Sequence, residues 1–205
     1  MIKFDPTFSK RPLSPSNVNS FLYNKETWYD TYILNKRQSS KEMDFGSMVD
    51  KKLETDPTYL PQVPRYPIKQ KEMKAVFDKI YLIGKFDGLD LDNPTLADYK
   101  TGVKAWDQNR IEDCLQLKFY LLLLYINTKI PPEKFKCIIH WIPTKKEETG
   151  DFIKTISFRD DPVVPITFET RFTMQDILLT GQLIKKTIKE MSEYVHNHPL
   201  QSSNR

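Results

Sequence analysis

Gly84-Lys85-Phe86-Asp87-Gly88 and Leu96-Ala97-Asp98-Tyr99-Lys100-Thr101-Gly102 are the two segments from which the rest of this chain can be understood. Ile80 to Leu91, around the first, is rich in Ile, Leu, Tyr and Phe and predicts a strand. Asp92-Asn93-Pro94 is a turn signal, and Thr95 to Thr101 predicts the returning strand. Side chains alternate along a strand, so Asp98 and Lys100 share one face and Tyr99 points to the other. A two-residue loop at Asp92-Asn93 would oppose Asp87 with Asp98, and a four-residue loop over 92–95 would oppose Asp87 with Lys100. Either register gathers all three charges. A three-residue loop without a bulge would scatter them, because a one-residue slip flips a strand.

Two carboxylates and one ammonium on neighbouring strands make a site for a divalent cation and a polarised water, the chemistry that cuts phosphodiesters. A hard ion such as Mg²⁺ takes oxygen ligands and keeps several waters. Asp87 and Asp98 offer two ligands, and the backbone carbonyl of Tyr99 a third. Lys100 would hold the attacking water or steady the developing phosphorane charge. The plainer alternative is a cross-strand ion pair on a solvated face, a weak and common stabiliser.

Further segments accompany these two. Leu13-Ser14-Pro15-Ser16 opens an aromatic-rich helix with Phe21, Tyr23, Trp28, Tyr29 and Tyr32. Phe45-Gly46-Ser47-Met48-Val49-Asp50 and Gln116-Leu117-Lys118-Phe119-Tyr120 follow in order. Together with Gly84-x-x-Asp87 and Asp98-Tyr99-Lys100, they resemble the PD-(D/E)xK nuclease superfamily, in particular its RecB-like exonuclease branch. The resemblance runs from about Leu13 to Tyr125. It implies an α/β restriction-endonuclease-like core: a central mixed β-sheet flanked by helices. It also implies Mg²⁺- or Mn²⁺-assisted water attack on DNA ends, with Asp87, Asp98, Lys100, Gln116 and Tyr120 as the catalytic set. The family's metal-binding His falls at Asp50 here. An aspartate is a harder, anionic donor suited to Mg²⁺ or Mn²⁺, so Asp50 joins Asp87, Asp98 and the Tyr99 carbonyl as an expected metal ligand. Glu54, one turn on, is a weaker candidate.

Residues 111–126 are apolar around nearly the whole helical wheel, which predicts a buried helix. A buried Gln116 must find partners, and Tyr120 lies on the same face at i+4. The resemblance aims both at the metal site or the scissile phosphate. Otherwise they are core polar groups bonded to backbone.

The chain of 205 residues, 39% apolar and 28% charged, is ordinary for a soluble globular protein. It is expected to form a single domain over 1–205, with a core at about 13–142, C-terminal strands and a long helix over 143–198, and a tail at 199–205. The net charge of +4 permits a nucleic-acid partner. In the loop after Lys100, the residues Lys104, Trp106 and Arg110 are candidate DNA contacts: the cations for phosphates, the indole for a base. Cys114 and Cys137 are the only cysteines. Two cannot hold a four-Cys cluster, so no iron–sulfur cluster is expected. Both read as small hydrophobes in a reducing compartment.

Met1 to Pro12 is read as an arm with no apolar signal region. No apolar run is long enough for a bilayer, and no Walker loop is present. A cytoplasmic protein of a bacterium or a phage-infected host is expected, with DNA and a repair or recombination protein as expected partners and no membrane. Ser16 to Leu34 and Met43 to Glu54 are expected helices. Ile68 to Phe77 is expected to join the two site strands in a meander. Phe135 to Ile142 is expected as a strand, Thr144 to Gly150 as a charged turn, and Phe152 to Phe158 with Val164 to Phe168 as a strand pair. Thr173-x-x-Asp176 caps a long helix to His196, whose stripe of Met174, Ile177, Gly181, Ile184, Ile188, Met191 and Val195 is core packing. His140, His196 and His198 are assigned no role. Two other functions remain open: a decayed or partner-activated nucleic-acid-binding module, and a protein-interaction or inhibitor domain.

Overall fold

The computed structural model describes residues 12–36, 39–149 and 152–198. The expected N-terminal arm before Pro12, two residues of the loop at 35–42, the end of the expected turn at Gly150 and the tail at 199–205 lie outside them. The elements are α1 (Pro15–Tyr23), α2 (Lys25–Tyr32), α3 (Lys41–Thr55), β1 (Ile68–Phe77), β2 (Ile80–Asp90), β3 (Thr95–Gly102), α4 (Gln108–Glu112), α5 (Leu115–Thr128), β4 (Lys136–Thr149), β5 (Phe152–Phe158), β6 (Ile166–Thr170) and α6 (Met174–Asn197). They build a six-stranded mixed sheet flanked by helices, the expected α/β class.

Strands β1, β2 and β3 form the antiparallel meander, and β4 then runs parallel to β3 from Thr95↔Lys136 to Gly102↔Pro143. Gly88↔Ala97, Leu89↔Leu96 and Asp90↔Thr95 set the β2–β3 register. This is the alignment that opposes Asp87 with Asp98, although the loop between the strands is longer than the two residues it was expected to need. Asp90 supplies the reason: its carboxylate accepts the backbone N–H groups of Asp92 and Asn93 at 2.9 and 3.0 Å, holding the turn closed.

A large hydrophobic cluster fills one face of the sheet, with Phe86, Leu89, Leu96, Cys137 and Ile139 packed against α1, α5 and α6. Val49 and Leu53 of α3 cover Tyr99 and Ile142 in a smaller cluster. Leu96 and Tyr99, three residues apart on β3 and so on opposite faces, serve different clusters, which leaves Asp98 and Lys100 on the Leu96 face toward α5.

Several expectations need correction. Ser16 to Leu34 is two helices, because Asn24 is extended and caps both: its N–H donates to Ser20 O, and its side chain accepts from Thr27 N. Residues 111–126 are likewise interrupted. Cys114 is extended and precedes α5 as its N-cap residue rather than lying within it. Thr144 to Thr149 is no turn: β4 continues through it, pairing with β5 from Thr144↔Phe158 to Thr149↔Phe152. Strands β5 and β6 do not pair with each other. β6 pairs with the first half of β4, from Cys137↔Thr170 to Trp141↔Ile166, so β4 organises both. The long C-terminal helix stands as expected, with both hydrogen bonds of the Thr173/Asp176 capping box. Its buried stripe is Ile177, Gly181, Ile184, Ile188 and Met191, while Met174 and Val195 at the ends are half-buried.

Candidate functional site

The site lies where β2 and β3 part. Their pairing covers only Gly88–Asp90 and Thr95–Ala97. Beyond it the alternation along β2 slips: Leu82, Gly84 and Phe86 are buried in turn, and then Leu89 joins the same cluster while Gly88 lies against the Tyr66 ring. The slip sits at Asp87. Opposite it on β1, Gln70 adopts a left-handed backbone with φ of 48°, and the regular β1–β2 pairing skips these two residues. The Asp87 carboxylate fills the gap. It accepts the Tyr99 N–H at 3.0 Å and the Gln70 side-chain amide at 3.0 Å. A carboxylate thus takes the place of a backbone partner at the fork.

From β3, Asp98 is 1% exposed. Its Oδ2 stands 2.6 Å from Lys100 Nζ, and its Oδ1 accepts Gln116 Nε2 at 2.8 Å. Lys100 Nζ also donates to Gln116 Oε1 at 2.9 Å. Gln116 Nε2 donates to the Tyr120 hydroxyl at 2.9 Å, which donates onward to the Lys85 carbonyl on β2 at 2.8 Å. This chain fixes which way the Gln116 amide points, since swapping its oxygen and nitrogen would set two donors, or two acceptors, against each other. Gly84 makes room for it: a Cβ there would stand 2.6 Å from Leu123 Cδ1 and 2.8 Å from Tyr120 Cε1. Only a glycine lets α5 approach β2 closely enough for Tyr120 to reach across the fork.

Asp50 comes from the other side. On α3, Gly46 touches β3 so closely that a Cβ would lie 3.1 Å from Thr101 Oγ1. Asp50 follows one turn later, beside the buried Val49. Glu54 is exposed, and nothing joins it to the site.

The electrostatics record crowding. Burial, then the Asp98 charge, pushes the Asp50 carboxyl up to about 6. Burial, then Asp98, holds Asp87 well above the usual carboxylate range. Burial alone would depress the Lys100 ammonium, but Asp98 and Asp87 outweigh it and raise it. Lys100 is therefore a firm cation and Tyr120, raised by burial, a firm hydroxyl donor.

The expected catalytic set, Asp87, Asp98, Lys100, Gln116 and Tyr120, is thus brought together, with Asp50 at its rim. The chemistry suits a hard cation: the carboxylates of Asp50, Asp87 and Asp98 crowd one another, and the Lys100 ammonium, 2.6 Å from Asp98 Oδ2, pairs with only one of them. The side chains nevertheless stop short of a cage, for among the described residues no three His, Cys, Asp or Glu groups converge at metal-holding distance. What Tyr99 contributes to the contacts described above is its N–H rather than its carbonyl. Gln70 is a site residue that the sequence did not announce. Its signal is a left-handed backbone in mid-strand, which no residue type in Ile68-Lys69-Gln70-Lys71 betrays.

Lys104, Trp106 and Arg110 line a cleft of about 500 Å³ that begins at Thr101 and Gly102. The Arg110 guanidinium lies 4.1 Å over the Trp106 ring, so the cation, not the indole expected to stack on a base, is the outward group. His140, given no role from sequence, is buried and joined to the Tyr66 hydroxyl at 2.8 Å and the Thr167 hydroxyl at 3.0 Å, with its ring stacked on Tyr99. No helix among the described residues is long and apolar enough to cross a membrane.

No family model and no curated protein matches the sequence. Solved structures do. The chain is similar to the crystal structure of a protein from Eubacterium rectale named as a putative exonuclease, with TM-score 0.56 and 12% identity over 96% of this chain and 86% of that one. A second solved structure is 16% identical over 93% of this chain and 73% of its own, and its TM-score of 0.46 carries no argument. At such identities the likeness is one of fold: the nuclease-like mixed sheet with its flanking helices is shared.

Proposed function

We propose that this chain is a metal-dependent DNA nuclease acting on DNA ends, as an exonuclease of the RecB-like kind, in repair, recombination or phage DNA processing. The observation that carries the reading is the Asp98–Lys100–Gln116–Tyr120 chain at the β2–β3 fork, with Asp87 and Asp50 crowded against it. Carboxyls held above their ordinary range beside a third, at a fork in the sheet, are the kind of arrangement that functional sites concentrate. The name of the Eubacterium rectale structure agrees with this reading.

The residues that would hold Mg²⁺ or Mn²⁺ are Asp87 and Asp98, with Asp50 and the Tyr99 carbonyl beside them; such an ion supplies Lewis acidity at a phosphate oxygen and at water. Lys100 keeps its proton and directs its N–H groups at the attacking water or at a non-bridging phosphate oxygen, where charge grows in the transition state. Gln116 holds Lys100 and Asp98 at a fixed separation, and Tyr120 holds Gln116. Since Asp98 already ties up Lys100, the ammonium is pre-positioned before substrate arrives.

The test compares wild type with Lys100→Ala on linear duplex, single-stranded and circular DNA, with Mg²⁺, Mn²⁺ or chelator. Metal-dependent loss of linear DNA, abolished in the variant while circles survive, is expected. Cut circles would replace the exonuclease by an endonuclease with the same chemistry. No cleavage by folded wild type under any condition would remove the enzyme and leave a partner-activated or binding module.

A further inference from the structure

We infer that the cleft beyond Lys100 is a binding site for one unpaired nucleotide next to the scissile phosphate, so that the protein takes single-stranded DNA, or the frayed strand of an end, rather than intact duplex. This rests on the nuclease reading above for where the chemistry happens, but the cleft stands on its own geometry.

The cleft has three features that together select this ligand. Its size, about 500 Å³, suits a single nucleotide and is too small to take in a base pair with its two backbones. Its wall is apolar where a base or sugar would lie, with Phe45 of α3, Val103 after β3 and Ile156 of β5. Its rim is cationic: Lys104 and Arg110 line it, and neither has an acidic ion-pair partner among the described residues. The one carboxylate on the wall, Glu42, is neutralised by Lys146 at 2.6 Å.

Arg110 is the centre of the site. Trp106 packs against the main hydrophobic cluster and carries the guanidinium over its ring at 4.1 Å, and the Arg110 Nη1 also reaches the Ala105 carbonyl at 3.4 Å. A guanidinium supported on an indole has N–H groups for a phosphate and a planar surface for a base. Every base has a π-face, so this grip does not read sequence.

The position fits. Thr101 and Gly102, one and two residues beyond Lys100 on β3, are part of the cleft wall. At ~3.3 Å per residue, β3 reaches the cleft about 7 Å beyond Lys100. Thr101 lies on the α3 face, opposite Lys100, so a nucleic-acid strand with a phosphate at Lys100 would enter the cleft by crossing the end of β3.

The experiment is equilibrium binding, by fluorescence anisotropy in chelator, of a labelled oligothymidylate and of a blunt duplex hairpin. Using the Lys100→Ala protein means that no cleavage is needed, so binding is scored whether or not the wild type proves to be a nuclease. The single strand is expected to bind more tightly than the duplex. Lys104→Ala with Arg110→Ala is expected to weaken single-strand binding about tenfold or more, to lower the salt slope by about 1.4 for two lost phosphate contacts, and to leave hairpin binding unchanged. Val103→Glu changes an exposed position and so spares the fold. It is expected to weaken the single strand alike, as is replacing the nucleosides by abasic sites. Equal losses for single strand and hairpin would reduce the cleft to general electrostatic attraction and overturn the inference. So would an unchanged single-strand affinity in both the double variant and Val103→Glu. Cleavage by wild type alongside such a result would leave the nuclease reading standing without the cleft.

Discussion

Two buried polar clusters flank the same strand, and they are built on opposite principles. On the α5 side of β3, Asp98, Lys100, Gln116 and Tyr120 form a charged chain in which Asp98 Oδ2 pairs with Lys100 at 2.6 Å, while burial and then the Asp98 charge push Asp50 and Asp87 upward. On the α3 side, His140, Tyr66, Tyr99 and Thr167 form a neutral cluster in which both ring nitrogens of His140 have partners. Tyr99 Oη donates to the Pro64 carbonyl at 2.7 Å. Burial lowers His140 to about 4 and raises the Tyr66 phenol to about 12, so both stay neutral across the physiological range. The contrast is one of charge, since both clusters are buried. A polar cluster kept for stability satisfies its own groups. One kept for chemistry holds charges that need something from outside.

Four outcomes would break or sharpen that contrast. The largest concerns the charged chain. Lys100→Ala is expected to lower any metal-dependent cleavage by about 10²–10³-fold or more while the fold survives, as read by initial rates and thermal melting; a variant that cleaves normally would make the chain structural after all.

The second concerns His140, 2% exposed. Its folded value of about 4 lies below the ordinary 6.5. Its contribution is therefore fully present above about 6.5 and is lost as pH falls through about 4. The loss amounts to about 3 kcal/mol. Urea midpoints from pH 8 to pH 4 should drop less in His140→Gln than in wild type, with cleavage at pH 8 unaffected.

The third runs the other way. Asp50 is raised from 3.8 to about 6. The stability tied to its protonated form is present below 3.8 and is lost as pH rises through about 6. Asp50→Asn should thus be more stable than wild type at pH 8, by about 1–2 kcal/mol, with the difference gone at pH 4. Mg²⁺ or Mn²⁺ should raise the wild-type melting temperature more than that of the variant. Equal shifts would place Asp50 outside any cation site.

The smallest effect is expected at Tyr120→Phe. Removing its hydroxyl frees the Lys85 carbonyl and one Gln116 donor, at a cost of about 1–2 kcal/mol. If Gln116 positions Lys100, the cleavage rate should fall while the affinity for DNA is kept, and a change in affinity alone would contradict that role.

The sequence carried the fold class, the three-stranded meander and the capped C-terminal helix, because each depends on local patterns: alternation, turn residues and a capping box; of the two registers it allowed, the structure chose the one that aligns Asp87 with Asp98. It also carried the convergence of Asp98, Lys100, Gln116 and Tyr120, whose spacings put them on shared faces, though not their role. It misread the run Thr144 to Thr149, whose Lys-Lys-Glu-Glu composition suggests a turn. These residues extend β4 because β5 supplies a partner, and an edge strand tolerates charge. The cap at Asn24 was also missed, since nothing local tells a helix of two pieces from one.

What the sequence determined by itself is which residues meet across neighbouring strands and along one helix face, for those relations follow from fixed backbone periods. What only the tertiary structure decided is how the ladder fails at the fork. The Gln70 amide and the Tyr99 N–H bonded to the Asp87 carboxylate, the Lys100–Gln116 contact and the two-sided pairing of β4 all join segments distant in sequence. Such contacts depend on how far strands splay and how closely helices approach, quantities set by packing of the whole core and carried by no local stretch of chain.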